Sequence, residues 1–364
     1  MTAHFGDPLG EQRALTSGEA VVDCSDLSIL HITGVDRLRW LHDLTTQQLI
    51  DLEPGRSVEA LILSPTGRIE HAFGAVDDGE TTWLLTEGSA GAQLVTWLDS
   101  MRFTRRVEVT DVSADWAAIG DFDQAQPKDS TSIIWLDPWP GITPGGTRYG
   151  PPTVEHPGAD WRWCLTLVPR ANLTAEIATR QEAGLRLAGS WAQEALRIAA
   201  WRPRLGSEVD NRSLPHELDW LRTAVHLRKG CYRGQETVAH VHNLGHPPRR
   251  LVFLHLDGSD HLLPEAGASV TLADGSPVGT LTSVARHYEL GPIGLAVIKR
   301  TASAAAPLLA DGIAAAQEEI VPVAGVSIDR PPPRGPLTRG LLAPSRAIPG
   351  AAPGLRTAPS TRHP

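Results

Sequence analysis

The stretch Lys229-Gly230-Cys231-Tyr232-Arg233-Gly234-Gln235-Glu236 sets one cysteine between two cations and two glycines, then closes with an amide and a carboxylate. A thiol reacts, or binds metal, as its thiolate, and neighbouring cations lower its pKa from about 8.5 to roughly 3.5–7.5. Gly230 and Gly234 would let the backbone turn tightly or approach a ligand closely. The chain has three lysines, Lys128, Lys229 and Lys299, and one of them lies two residues from this cysteine. Taken alone, the run reads equally as the loop of a working thiol or as a glycine-bounded turn around a buried, inert cysteine.

A chain of 364 residues is long for a single core and implies two or three domains. Hydrophobic residues at 41% and charged residues at 21% are the composition of a globular protein. Cys24, Cys164 and Cys231 are too few and too scattered for a disulfide framework, so a reducing, cytoplasmic setting is expected. The start carries no basic segment followed by an apolar run, and no stretch reaches the ~20 apolar residues of a membrane span. From Pro331 onward there are five arginines and no acid; the overall charge of −9 therefore leaves −14 on residues 1–330. An acidic body speaks against nucleic-acid binding by a broad basic face. The proline-rich residues 326–364 read as a disordered tail.

Outward from the octapeptide, periodicity predicts a strand at 27–33 and a short helix to about Leu49. Strands follow at 58–63, 69–76 and 82–86, then a helical stripe at Leu94, Val95, Leu98 and Met101. Strands at 106–112 and 116–120 precede a Pro/Gly-rich stretch, 128–158, with one short strand at 132–136. In 161–168, Trp161, Trp163, Leu165 and Leu167 share a face and Cys164 takes the other. Helices are expected at 173–183 and from Ser190, which stands at capping-box spacing from Gln193. Beyond the octapeptide the pattern is all-β, with strands at 251–256, 269–272, 279–286, 293–299 and near 319–323. The fold class is thus α+β followed by a small all-β part, a barrel or a sandwich, without the rhythm of a doubly wound sheet.

Several motifs then fall in the order of one family. They are Leu30-His31-Ile32-Thr33-Gly34-Val35-Asp36, Trp40-Leu41, Leu44-Thr45-Thr46 and Ser64-Pro65-Thr66-Gly67-Arg68-Ile69. Glu194-Ala195-Leu196-Arg197-Ile198, Pro203-Arg204, Gly206 and Pro215-His216-Glu217 lead to the octapeptide; Gly245, Arg249-Arg250, Val278-Gly279, Thr282-Ser283 and Gly294-Leu295-Ala296 follow it. With them the chain resembles the YgfZ branch of the glycine-cleavage T-protein superfamily, folate-binding proteins linked to the maintenance of iron–sulfur enzymes. The resemblance implies a T-protein-like fold: a folate-binding region of two interlocked α+β parts over 1–247, a barrel over 248–325, then the tail. It implies tetrahydrofolate or a related folate as cofactor, iron–sulfur client proteins or assembly factors as partners, and Cys231 as the residue that carries the chemistry. Two departures stand out. Glu70 is the only carboxylate where the T-protein carries its acidic turn, and Ala199 replaces a glutamate that meets the pterin. These losses favour a folate-dependent assembly or repair factor over an aminomethyltransferase or other one-carbon transferase.

The octapeptide residues Lys229, Gly230, Tyr232, Arg233, Gly234, Gln235 and Glu236 are expected to form the working loop around Cys231, with Gln235 and Glu236 accepting backbone amides. For the folate, Arg197 and Arg233 are candidate partners of the glutamate tail, with Arg249 a weaker one. Trp201 is a candidate stacking surface and Tyr232 a candidate lining residue. One cysteine cannot supply the four thiolates of a stable cluster, so transient ligation or thiol exchange is the simpler chemistry. His240, His242 and His246 would share a face on a strand but lack a carboxylate or cysteine pattern, and no metal site is assigned.

Overall fold

The computed structural model of the protein describes residues 1–122, 132–259 and 262–332. The chain opens with helix α1 (Pro8–Thr16), capped by the Asp7 side chain, which accepts the Gly10 amide at 2.9 Å. Strands β1 (Ala20–Asp23) and β2 (Ser28–Thr33), helix α2 (Arg37–Leu44), strands β3 (Ser57–Leu63), β4 (Ile69–Asp77) and β5 (Thr81–Thr86) and helix α3 (Gly88–Ser100) follow. Next come β6 (Glu108–Asp111), β7 (Trp116–Asp121), β8 (Ile133–Leu136), β9 (Cys164–Pro169), α4 (Leu173–Glu182), β10 (Arg186–Ala188) and α5 (Ser190–Ala199). After the short α6 (Leu205–Glu208) and then α7 (Gln235–Asn243) come β11 (Arg249–Leu256), β12 (Ser269–Leu272), β13 (Pro277–His287), β14 (Gly291–Lys299), β15 (Leu308–Ala310) and β16 (Ile313–Glu319).

Two five-stranded sheets are threaded through each other. One has the order β3-β4-β5-β2-β6, the other β10-β1-β7-β9-β8. Only a short turn separates β1 from β2, yet they lie in different sheets, and the chain returns to the second sheet after completing the first. This is the expected α+β body of two interlocked halves. The last six strands close into the expected barrel, with β16 pairing back onto β11. Alternation explains how β11 serves two cores. Val252, Leu254 and Leu256 pack inside the barrel with Val270, Leu281 and Ile298, while Leu251 and Phe253 join the main core with Ile293 and Leu295. In β4 every residue from His71 to Asp77 is buried and only Glu70 is exposed, the pattern of a strand covered on both faces.

Four expectations are corrected. The segment after the octapeptide is helical, not β: Gly234 begins α7 in a left-handed conformation, and Val238, Val241 and His242 form its buried stripe. The Ser190–Gln193 capping box does not form, because Gly189 is the cap and the Ser190 amide bonds to the Thr2 carbonyl. The last strand ends at Glu319 rather than beginning there. An Asp311-Gly312 turn with both residues at positive φ makes the β15–β16 hairpin. Finally, the stretch read as a tail from 326 begins ordered: Ser327 bonds His242, Asp329 accepts from Thr147, and the Ile328 amide meets the Arg148 carbonyl. The expectation of disorder for 333–364 lies outside the described residues.

Candidate functional site

The octapeptide joins the core to the start of α7, and Cys231 is exposed on it. Lys229, by contrast, is buried, and its ammonium donates to the carbonyl oxygens of His42, Thr45 (2.5 Å) and Gln47 (3.0 Å). His42 lies in the last turn of α2, Thr45 is its cap and Gln47 follows it, so these carbonyls stand where the helix has no further amides to offer. An ammonium has three donors, and here all three are used. Burial pushes Lys229 down to about 8, and nearby Asp43 opposes that shift. Lys229 is therefore a tie between the loop and α2 rather than a free cation beside the thiol. Its charge also lies over the Tyr232 ring, 5.3 Å from the centroid, and Tyr232 is packed in the main core.

Gly234 has the conformation and crowding that demand glycine: φ is +83°, and a Cβ would stand 2.6 Å from the Ser64 carbonyl oxygen in the β3–β4 turn. Gly230 does not; its nearest neighbour to such an atom would be His42 Nε2 at 3.9 Å. Arg233 forms an ion pair with Glu70 at 3.1 Å, each side chain about a third exposed. Among the described residues, the Gln235 and Glu236 side chains accept no backbone amide; both belong to the first turn of α7.

A cavity of about 530 Å³ lies in the second sheet's neighbourhood, walled by Trp135, Trp161 and Trp163 and floored by Arg197, Arg202 and Asp137. An annex of about 140 Å³ shares Trp135, Arg202 and Arg204 with it and adds Glu59 and Trp220. Close packing sets the indoles: a Cβ on Gly74 would lie 2.4 Å from Trp135, and one on Gly120 would lie 2.3 Å from Trp163. Trp161 donates to Asp137 at 2.8 Å and Trp135 to the Val58 carbonyl at 2.8 Å, so both rings are oriented by their N–H groups. Arg202 pairs with Glu59 at 2.6 Å and Asp137 at 3.0 Å. Burial works against its charge, and the two carboxylates outweigh it, so the guanidinium is held above its ordinary pKa. Arg197 is likewise enclosed, by Glu194 (2.7 Å), Glu208 (3.0 Å) and the Ser283 hydroxyl (2.7 Å).

Of the residues expected to meet a folate, only Arg197 borders this cavity, and its donors are already committed. Trp201 instead packs against His156 and Phe253, Tyr232 lies in the core, and Arg233 borders a separate open groove with Glu70 and Trp97. Arg249 is tied to Asp210 and Glu217. None of the eight loop residues lines the tryptophan cavity. Sequence reasoning placed Trp161 and Trp163 on one face but did not single out Trp135, Asp137, Arg202 or Glu59. His240 and His242 lie on a helix, where positions two apart diverge, and no group of three His, Cys, Asp or Glu among the described residues is placed to hold a metal ion. Cys24 and Cys164 are buried; burial drives the Cys24 thiol well up, and Cys164 donates to Asp121 at 2.7 Å.

Comparison with known proteins places this geometry. Residues 5–120 match the GCVT N-terminal domain and residues 249–319 the CAF17 C-terminal β-barrel domain. The fold aligns with the glycine cleavage system aminomethyltransferase T of Bartonella henselae at a TM-score of 0.69 and 14% identity, covering 88% of this chain and 91% of that one. The class is a GCVT-like body completed by a CAF17 barrel. In sequence the chain is 31% identical to the tRNA-modifying protein YgfZ of Klebsiella pneumoniae, over 42% of this chain and 41% of that protein. It is 25% identical to the mitochondrial iron–sulfur cluster assembly factor IBA57 homolog of Mycosarcoma maydis, over 62% and 54% respectively. The GCVT-like domain, the CAF17 barrel and these relatives support the YgfZ/CAF17 family, which is related to the aminomethyltransferases. No helix among the described residues is long and apolar enough to cross a membrane.

Proposed function

We propose that the protein binds tetrahydrofolate, or a related folate, in the tryptophan-walled cavity and supports the assembly or repair of iron–sulfur proteins through Cys231. The observation that carries the folate reading is the cavity itself. Its volume suits a ligand of folate size, three indoles line it, and Trp220, on the annex wall, has a buried indole N–H without a partner among the described residues. The related IBA57 homolog, an iron–sulfur cluster assembly factor, supports the cellular role. Cys231 supplies one exposed thiol for ligation or exchange with a client, which fits a transient donor better than a permanent cluster site. We place this work in the cytoplasm, with iron–sulfur clients or assembly factors as partners.

The aminomethyltransferase reading is less well supported by the site. A proton-moving carboxylate needs a free oxygen near the substrate. Glu70 is paired at the surface, while both oxygens of Asp137 accept, one from the Trp139 amide and the other from Trp161 and Arg202. Two measurements decide the matter. Tetrahydrofolate should quench the indole fluorescence, and Cys231→Ser should lower the activity of cluster enzymes in cells while leaving that quenching intact. Full cluster-enzyme activity with Cys231→Ser would remove the thiol role. Turnover of an aminomethyl donor with tetrahydrofolate, lost on Glu70→Ala, would establish the transferase instead.

A further inference from the structure

Three arginines border the proposed folate cavity, and their states differ. Arg197 and Arg202 are buried, and each is enclosed by two carboxylates. Arg204 is the exception: its side chain is 44% exposed, and it borders both the cavity and the annex. Its Nε donates to the Ser207 hydroxyl at 2.9 Å, and its Nη1 stands 3.6 Å from Glu194. Among the described residues no closer partner engages the two terminal nitrogens.

The charges behind Arg204 are unbalanced. Glu59, Asp137, Glu194 and Glu208 surround only two guanidiniums, and Asp26 and Glu87 add further negative charge on the wall. A dianionic tail entering this interior would be repelled, whereas a ring edge rich in N–H donors would be favoured. A guanidinium at the mouth offers the planar fork that fits a carboxylate.

We propose that Arg204 is the specificity-determining residue that holds a carboxylate of the folate glutamate at the cavity mouth, setting the ligand ring-inward and tail-outward. This rests on the folate reading above and assigns the tail to a residue other than Arg197, Arg233 and Arg249. The test is calorimetric titration of the full chain and of Arg204→Ala with tetrahydrofolate and with 6-methyltetrahydropterin, which has the ring but no glutamate. Arg204→Ala should weaken tetrahydrofolate by about three- to tenfold, the range of a partly exposed ion pair. It should leave the tail-less ligand unchanged, and the difference should shrink at high salt. Arg204→Gln, which keeps the length but not the charge, serves as the second variant and should behave alike. Equal weakening of both ligands, or no weakening of tetrahydrofolate, overturns the assignment while the folate reading stands. Failure of tetrahydrofolate to bind the unaltered chain overturns the folate reading and the assignment with it.

Discussion

Replacing Lys229 by Met keeps the length of the side chain and removes its charge, which isolates the tie between the cysteine loop and α2. The loss leaves three carbonyls, of His42, Thr45 and Gln47, without their donor in a buried site. Each unsatisfied acceptor costs about 1–3 kcal/mol, so the three together cost about 3–9 kcal/mol before relaxation. The ammonium, however, is itself held at a cost. Its fall from 10.5 to about 8 corresponds to about 3.4 kcal/mol of unfavourable desolvation that Met would relieve. Water reaching the loosened loop would also satisfy part of the carbonyl set. The balance is a net destabilisation of about 2 kcal/mol, concentrated in the loop. Urea unfolding should show a lower midpoint, and the amides of 228–234 should exchange about thirtyfold faster with solvent. The rate at which Cys231 reacts with a neutral thiol reagent should change in parallel, because the loop that presents it is no longer fixed. Lys229→Arg should not restore the loop, since a planar fork cannot aim three donors at converging carbonyls. Unchanged stability together with an unchanged Cys231 rate in Lys229→Met would refute the reasoning, for then the three contacts carry no weight.

Two further outcomes follow from the same geometry. Burial holds both His156 and His216 down to about 3, against an ordinary 6.5. Between these values the unfolded chain binds protons the native state does not, so this contribution is complete above about pH 6.5 and is lost as pH falls toward 3. The slope is up to about 1.4 kcal/mol per pH unit for each histidine; urea midpoints at pH 7.0, 5.5 and 4.5 should fall in turn, and a flat profile would count against it. Gly234→Ala should destabilise by about 1–3 kcal/mol, since it combines a positive φ with a contact to the Ser64 carbonyl oxygen. Calorimetric melting would show it, and a melting temperature within a degree of the unaltered chain would contradict it.

The fold was largely legible because its strands and barrel carry period-two patterns that survive in a single sequence. The site was legible only in part. The octapeptide stands out by composition, but the role of Lys229 does not, because its partners are backbone carbonyls at 42–47, and no residue type marks a carbonyl. Trp161 and Trp163 stood out as one face of an expected strand over 161–168, but β9 begins only at Cys164 and both precede it. Trp135 and Asp137 were hidden in a proline-rich stretch whose only strand signal is short, and Arg202 belongs to no motif of its own. Helix α7 was missed because His240 and His242 invite a strand reading; Val238, Val241 and His242 at helical spacing were the better signal. Ser327 and Asp329 show the opposite error, composition suggesting a solvated tail where specific polar contacts begin.

The end of α5 shows how the site departs from the T-protein pattern. Where that motif continues with a glutamate, an alanine and a glycine, this chain has Ala199, Ala200 and Trp201. The backbone still makes the turn a glycine would make: Trp201 has φ +58°, its amide bonds to the Ile198 carbonyl and the Arg202 amide to that of Arg197. A left-handed tryptophan costs about 1–3 kcal/mol. Burying an indole of 150–250 Å² at about 25 cal/mol per Å² returns about 4–6 kcal/mol, so packing outweighs strain. The indole meets His156 and Phe253 of β11, which fastens α5 to the barrel. The turn also delivers the next residue, Arg202, between Glu59 and Asp137. With Ala199 unable to offer a carboxylate, the polar groups of the cavity come from β3, from the loop after β8 and from this turn. The same backbone path therefore supports a differently charged wall, one whose interior carboxylates are already engaged and whose exposed arginine, Arg204, stands at the mouth.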